Sequence, residues 1–296
     1  MKNIAIIAKR NSDFSHHIQH LIQLLKDLDC QVFCDAGLNQ ILDQVCCTGD
    51  INDWVQNIDL AIIIGGDGTL LSVGRTLAHY KTPIIGINFG GLGFMTDVSV
   101  DDMLAVIKEV IVDQKFYTEE RALLKFQLYR RSSLLFQSIA INDLVLSAKA
   151  ASNLIEFEIF VDKEFMCAQR ADGVIVTTPT GSTAYSLAAG GSIIHPHAQA
   201  VSIVPICPQS LSNRPVILPD SADIEIKLTE NNRPTSSTQI SIDGQEAIDV
   251  YCRDILSITK ANESLCLLHY NGDKADCYNY FATLRSKLNW SKKNID

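Results

Sequence analysis

The residues Gly65-Gly66-Asp67-Gly68-Thr69 follow an apolar run, Leu60-Ala61-Ile62-Ile63-Ile64, and lead into a segment of helical character. Glycines at such a turn let backbone N–H groups approach phosphate oxygens, and the following helix start adds its own free amides. Asp67 is out of place in a plain phosphate cradle, because a carboxylate repels phosphate. It points to a bridging divalent metal or to a group that takes a proton from a substrate hydroxyl. A strand-to-helix turn capped by Asp accounts for the same residues, and both readings stand open. Neither GxxxxGK[ST] nor GxGxxG occurs in the chain.

A second glycine cluster, Asn88-Phe89-Gly90-Gly91-Leu92-Gly93-Phe94, follows the apolar Pro83-Ile84-Ile85-Gly86-Ile87. It is expected beside the first at the sheet edge, or else as a tight turn into a second domain. A third stretch runs from Arg170-Ala171-Asp172-Gly173 through Val174–Thr178 to Pro179-Thr180-Gly181-Ser182-Thr183-Ala184-Tyr185-Ser186 and on to Gly190-Gly191. Its hydroxyls offer neutral donors and acceptors for ribose and amide groups, Tyr185 offers an aromatic face, and the small residues admit a flat ring. An N-capped helix packed on a strand explains part of the same run. Asn142-Asp143, within an apolar strand, and Asp243-Gly244-Gln245, at a strand end, pair a carboxylate with a carboxamide suited to vicinal hydroxyls, although Asp243-Gly244 also reads as a hairpin turn. His16, His17 and His20 have helical spacing without an acidic or thiol partner, so they read as a solvated face.

The elements around these residues fall into two textures. The first hundred residues alternate buried-type strands (Ile4 to Ala8, Gln31 to Cys34, Leu60 to Ile64, Ile84 to Ile87) with amphipathic helices, one carrying Ile18, Leu21, Ile22, Leu25 and Leu28, another spanning Asp101 to Val112. Continuous apolar strands between helices imply a doubly wound parallel sheet, whose ligands bind at the strands' carboxyl ends. After about residue 116 the period becomes two, as in Ile155, Phe157, Ile159 and Val161. Further strands are expected at 122–129, 136–146, 174–178, 201–204, 223–228, 239–242, 255–259 and 265–269, with a closing helix over 278–290. The expected fold is therefore an α/β Rossmann-like domain over residues 1–115, a mostly β, sandwich-like domain over 116–270, and a C-terminal segment over 271–296.

Composition narrows the function classes. The 296 residues carry 25 Lys and Arg against 34 Asp and Glu, a net charge of −9, which opposes binding to nucleic acid or an anionic membrane surface. No apolar run approaches the roughly 18 residues of a membrane span, and Met1–Ala8 is too short for a secretory signal, so a cytoplasmic protein is expected. The nine cysteines are scattered, contain no CxxC pair, and are expected to be reduced.

In identity and order, Gly65–Thr69, Asn88–Phe94, Asn142-Asp143, Asp172-Gly173 with Thr178–Tyr185, and Asp243-Gly244-Gln245 resemble the NAD kinase family. The resemblance implies ATP-dependent phosphorylation of the adenosine-ribose 2′-hydroxyl of NAD to give NADP and ADP. It also implies a divalent cation such as Mg²⁺, a C-terminal tail that returns to the first domain, and a homodimer or homotetramer. Residue by residue, it implies that Asp67 accepts the proton and Gly68 belongs to the phosphate loop. Asn142 and Asp143 hold the adenosine ribose, and Arg170 and Asp172 frame the nicotinamide half. Thr183, Ala184, Tyr185, Ser186, Leu187 and Ala188 line the adenine pocket, Gln245 closes the site, and no side chain is assigned as a metal ligand. The family more often has Glu where this chain has Asp143, and often a basic residue where it has Asn153. A lipid or sugar kinase sharing only the Gly-Gly-Asp-Gly loop, and a non-catalytic dinucleotide sensor, are the alternatives.

Overall fold

In the computed structural model, which describes residues 1–8, 15–34, 38, 47–91, 93–149, 154–229, 238–273 and 277–290, the aliphatic run Leu60–Ile64 is a strand with all five residues buried. It pairs in parallel with Asn3–Ala8 on one side and Ile84–Asn88 on the other, Ile4 lying opposite Leu60 and Ile62 opposite Ile85. Asn3–Ala8 in turn pairs with Gln31–Cys34, and that strand with Cys47–Thr48. The order reverses at Asn3–Ala8, so the carboxyl end of Leu60–Ile64 lies beside the switch point where doubly wound sheets bind ligands. Helix Ser15–Asp27 buries Ile18, Leu21, Ile22 and Leu25, one stripe of a 3.6-residue period. Helix Asp67–His79 buries Leu70, Leu71, Leu77 and Ala78. Helix Met103–Val112 begins two residues later than its acidic lead-in suggests, because Asp101 and Asp102 stand in the preceding turn.

The chain divides into two units, Met1–Glu120 with Leu265–Asp296, and Arg121–Ser264. In the first, Leu267 pairs in parallel with Ile84, and the closing helix spans Tyr280–Lys287, capped where the Asn279 side chain accepts from Ala282 N at 3.0 Å.

The second unit is a sandwich of two antiparallel sheets. One runs Val216–Pro219, Ala200–Ile206, Gly173–Thr177, Asp143–Ala148, Thr238–Ile242, Glu246–Val250. The other joins Glu164–Ala171, Ile155–Val161, Ile224–Leu228 and the start of Ile255–Tyr270, with Phe116–Arg130 and Ser133–Ala140 alongside. Leu144, Leu146, Val174, Val176, Ile240 and Ile242 from the first sheet and Phe126, Phe157, Ile159, Ile226 and Ile258 from the second form one core.

Two expectations change. The apolar run 136–146 is not one strand but two, Ser133–Ala140 and Asp143–Ala148, in different sheets. The chain changes sheet at Ile141 and Asn142, so Asn142 stands in the break and Asp143 opens a strand. The strands expected at 255–259 and 265–269 form one, Ile255–Tyr270, because the polar stretch between them stays extended. Cys30, Cys34, Cys47, Cys167, Cys207, Cys252, Cys266 and Cys277 are free thiols, and Cys46 lies outside the described residues. Among the described residues no helix is long and apolar enough to cross a membrane.

Candidate active site

In the first unit the strand Leu60–Ile64 ends at Gly65, whose φ of 155° disfavours a side chain and whose Cβ would overlap the Thr69 hydroxyl. Gly66 caps the next helix, and Asp67 is its first residue. A Cβ on Gly66 or Gly68 would meet nothing within 4 Å, so the turn's backbone is open to a ligand.

The second glycine cluster clasps the Asp67 carboxylate. Oδ1 accepts from Met95 N at 3.1 Å and from the Thr96 hydroxyl at 3.1 Å, and Oδ2 accepts from Phe94 N at 2.9 Å. Asn88, at the end of its strand, fixes the loop from both sides: its Oδ1 accepts from Gly90 N at 2.9 Å and its Nδ2 donates to Thr96 Oγ1 at 2.9 Å. Gly93 N closes the turn on Thr96 O at 2.7 Å. The cluster is thus a holder for Asp67. Two carboxylate oxygens offer about four lone-pair sites; among the described residues Oδ1 has two partners and Oδ2 one, which leaves Oδ2 with room for a further donor.

In the second unit an open cleft of about 360 Å³ lies on the outer face of the six-stranded sheet. The period of two builds it: Asp143, Val145 and Ser147 point outward between core residues Leu144 and Leu146, and Ser241 and Asp243 do the same on the neighbouring strand. Gly244, Asn142, Ala184 and Tyr185 complete the lining, with Tyr185 48% exposed.

Asp243 organises this cleft. Asp243 and Gly244 have φ of 50° and 67°, and Gln245 N donates to Ile242 O at 2.9 Å, so the hairpin turn read from the sequence is present. The same Asp243 carboxylate accepts from the amides of Ile141 at 3.0 Å, Asn142 at 2.7 Å and Asp143 at 3.2 Å. Those amides lie where the chain changes sheets and would otherwise lack ladder partners. Burial pushes the neighbouring Asp143 carboxyl up to about 7, and the Asp243 charge adds to the shift. Asn142 Oδ1 is buried with no hydrogen-bond partner among the described residues.

The run Thr178–Ala188 is a 3₁₀ turn, Thr180–Thr183, followed by a single helical turn, Tyr185–Ala188. Several hydroxyls in this run and just before it serve the backbone rather than a ligand. Thr177 Oγ1 donates to Asn142 O at 3.0 Å, Thr178 Oγ1 to Ile141 O at 2.7 Å, and Ser182 Oγ to Pro179 O at 2.6 Å. Of the residues singled out here, Ala184 and Tyr185 line the cleft. Thr183, Leu187 and Ala188 flank it in the chain without lining it, and Ser186 is buried. Arg170, half-exposed on the strand Glu164–Ala171, lies 3.6 Å from Glu156, and Asp172 links that strand to Gly173–Thr177; neither lines the cleft. Gln245 is exposed beside Gly244, Gly68 is the exposed second residue of the helix Asp67–His79, and Asn153 falls outside the described residues. Val145, Ser147 and Ser241 were not singled out in the sequence, although their two-residue phase with Asp143 and Asp243 signals the shared face.

Among the described residues, no group of three or more His, Cys, Asp or Glu side chains is placed to hold a metal ion. His16 and His20 are exposed on their helix with rings 4.1 Å apart, a solvated face as expected, whereas His17 departs from that expectation: it is half-buried, its ring edge-on to Phe89 at 5.5 Å.

Residues 4–116 match the ATP-NAD kinase N-terminal domain and residues 141–270 the ATP-NAD kinase C-terminal domain. The NAD kinase of Laribacter hongkongensis is 40% identical over 301 residues, covering 99% of this chain and 98% of its own. That of Chromobacterium violaceum is 45% identical over 246 residues, 83% of this chain and 81% of its own. Among solved structures, yeast NADH kinase complexed with NADH has a TM-score of 0.88 at 27% identity, covering 100% of this chain and 90% of its own. An Archaeoglobus fulgidus NAD kinase in complex with ATP shares the fold, with a TM-score of 0.73 at 22% identity over 96% of this chain and 99% of its own. Two domain matches in series and relatives aligned almost end to end lead to one conclusion: the chain belongs to the NAD kinase family.

Proposed function

We propose that this NAD kinase transfers the γ-phosphoryl group of ATP to the adenosine-ribose 2′-hydroxyl of NAD, with Asp67 as the proton acceptor. Oδ2 of Asp67 takes the hydroxyl proton through its remaining lone pair, the ribose oxygen bonds to the γ-phosphorus, and the bond from that phosphorus to the ADP oxygen breaks. Phosphoryl transfer asks a protein mainly for alignment and charge neutralisation, with one group to orient or deprotonate the nucleophile. The observation that carries this reading is the carboxylate fixed by Phe94, Met95 and Thr96 beside an open glycine turn.

The cleft of the second unit is assigned to the dinucleotide. Asn142 and Asp143 face ribose hydroxyls, and Tyr185 offers its exposed ring to a base. Gly68 belongs to the phosphate turn. Arg170 and Asp172 toward the nicotinamide half, Thr183 with Ser186–Ala188 toward adenine, Gln245 as closure and Asn153 as a further contact belong to the same reading. A divalent cation, Mg²⁺ by expectation, enters as a complex with the ATP phosphates. We place the protein in the cytoplasm, as a homodimer or homotetramer.

Incubation of the purified protein with ATP, Mg²⁺ and NAD should yield NADP and ADP in equal amounts. Asp67→Asn should bind NAD as the wild type does and lose most turnover. An unchanged rate removes Asp67 from the reaction, and binding of NAD without ADP release by the wild type would mean a sensor instead.

A further inference from the structure

The mechanism leaves unused a buried polar cluster of the first unit. His269 is 1% exposed near the end of the strand Ile255–Tyr270. Its Nδ1 lies 2.7 Å from Asp97 Oδ2 and its Nε2 2.9 Å from Glu119 Oε2. The ring of Tyr278 stacks on it at 4.1 Å with an interplanar angle of 13°, and Tyr117 lies at 5.3 Å on a tilt of 37°. Both ring nitrogens thus face carboxylates, which accept and do not donate when ionised. Only the imidazolium, with two N–H groups, satisfies both.

Asp97 directly follows Thr96, whose hydroxyl donates to Asp67 and whose carbonyl closes the Gly93 turn. The C-terminal segment meets the same loop, the Tyr280 ring lying 6.3 Å from that of Phe94, whose amide also holds Asp67. Anchoring Asp97 therefore anchors the segment 93–97 that clasps the carboxylate.

We infer that His269 is a positioning residue for phosphoryl transfer: as an imidazolium bridging Asp97 and Glu119, it fixes the loop that aims Asp67. The inference rests on Asp67 as the proton acceptor. Burial works against a charged ring, but the hydrogen bonds and charges of Asp97 and Glu119 outweigh it, and the pKa is raised above the ordinary 6.5. Among the described residues, Asp97, Glu119, Tyr117 and Tyr278 are titratable groups that face the ring. A raised pKa means that the anchor is complete at and below pH 6.5 and is lost as pH rises through the raised value.

The test joins kinetics at saturating ATP with ¹⁵N NMR of the histidine rings in the full chain. The expected spectrum shows one ring still doubly protonated at pH 7, and His269→Gln removes that signal. Asp97→Asn keeps the shape, withdraws one charge and leaves the loop less firmly anchored. It should lower kcat roughly ten-fold, with KM for NAD changed less than about two-fold, because a small displacement of a reacting group acts on turnover rather than on ground-state binding. It should also move the alkaline fall of kcat to lower pH, a change that a merely structural role would not produce. His269→Gln should abolish that alkaline fall; if this variant fails to fold, Asp97→Asn decides alone. A neutral His269 ring at pH 7, or a wild-type kcat and pH profile in Asp97→Asn, overturns the inference. Wild-type turnover in Asp67→Asn would instead overturn the role of Asp67, so the two failures are distinguishable.

Discussion

Gly93 stands so close to Asp67 that a methyl group at position 93 would overlap the carboxylate Oδ1 and the Thr96 hydroxyl, and would lie 2.9 Å from Asp67 Cγ. The second glycine cluster therefore cannot hold Asp67 and carry a side chain at this point. Gly93→Ala is expected to displace the carboxylate while leaving the cleft of the second unit intact. A displacement near 1 Å can cost about a hundred-fold in rate, so kcat should fall by that order while KM for NAD stays within about two-fold. Steady-state kinetics in both substrates would decide; a raised KM with normal kcat would place Gly93 in NAD binding instead.

Asp143 predicts a pH dependence of affinity. Its folded pKa of about 7 lies above the unfolded 3.8, so the folded protein holds a proton there that the unfolded chain has released. Stability should fall as pH rises from about 4 to about 7 and level off above, since the unfolded state binds fewer protons across that window. Ribose hydroxyls that donate to Asp143 need it ionised, so KM for NAD should drop as pH rises through 7, by up to about ten-fold per pH unit on the acid side. Asp143→Asn should show a raised KM that no longer changes between pH 6 and pH 8, together with a gain in stability near pH 8. A KM that titrates as in the wild type would clear Asp143 of that role.

Asp243→Asn separates the two causes of the Asp143 shift. The substitution removes a charge beside Asp143 and leaves its burial in place, and burial is the larger cause. The midpoint in the KM profile should move toward acid without reaching the ordinary carboxylate range. The variant also sets an NH₂ group against one of the amides of Ile141, Asn142 and Asp143 and loses charge-assisted bonds, at a cost of about 2–3 kcal/mol. Urea unfolding would read that loss. An unaltered midpoint would mean that burial alone sets Asp143.

The parallel sheet was legible in the sequence because its strands are apolar throughout, as Leu60–Ile64 shows, and the helix at Ser15–Asp27 because one stripe is buried. Of the strands that periodicity does not reveal, Cys47–Thr48, Glu164–Ala171, Val216–Pro219 and Glu246–Val250 each end a sheet, and the two-residue Val98–Ser99 pairs with the end of Ile84–Asn88. An edge strand has one ladder partner and more exposed side chains, so it need not alternate; Glu164–Ala171 carries polar and apolar residues in no register, and Pro219 lacks an N–H. The site divides in the same way. Glycines and Asp67 stand out by residue type, whereas the grip of Asp243 on the 141–143 amides joins residues about a hundred positions apart, and no local pattern encodes it.

A second close glycine near the cleft, Gly181, should give the opposite kinetic signature to Gly93. A Cβ there would overlap Asn142 O and come within 2.5 Å of Asn142 C and Thr177 Oγ1, while Gly181 N donates to Thr178 Oγ1 at 3.1 Å. The Thr177 hydroxyl and the Thr178 amide both donate to Asn142 O, so the 3₁₀ turn and the sheet crossing share one carbonyl as their point of contact. Gly181→Ala must push Asn142 away, and with it the side chain that borders the cleft, but it leaves the Asp67 clasp untouched. Loss of ground-state binding raises KM and spares kcat, so KM for NAD should rise about ten-fold, matched by a direct Kd, with kcat within about two-fold. Should Gly181→Ala lower kcat and leave the Kd for NAD unmoved, the cleft on the six-stranded sheet would not be where the dinucleotide is held.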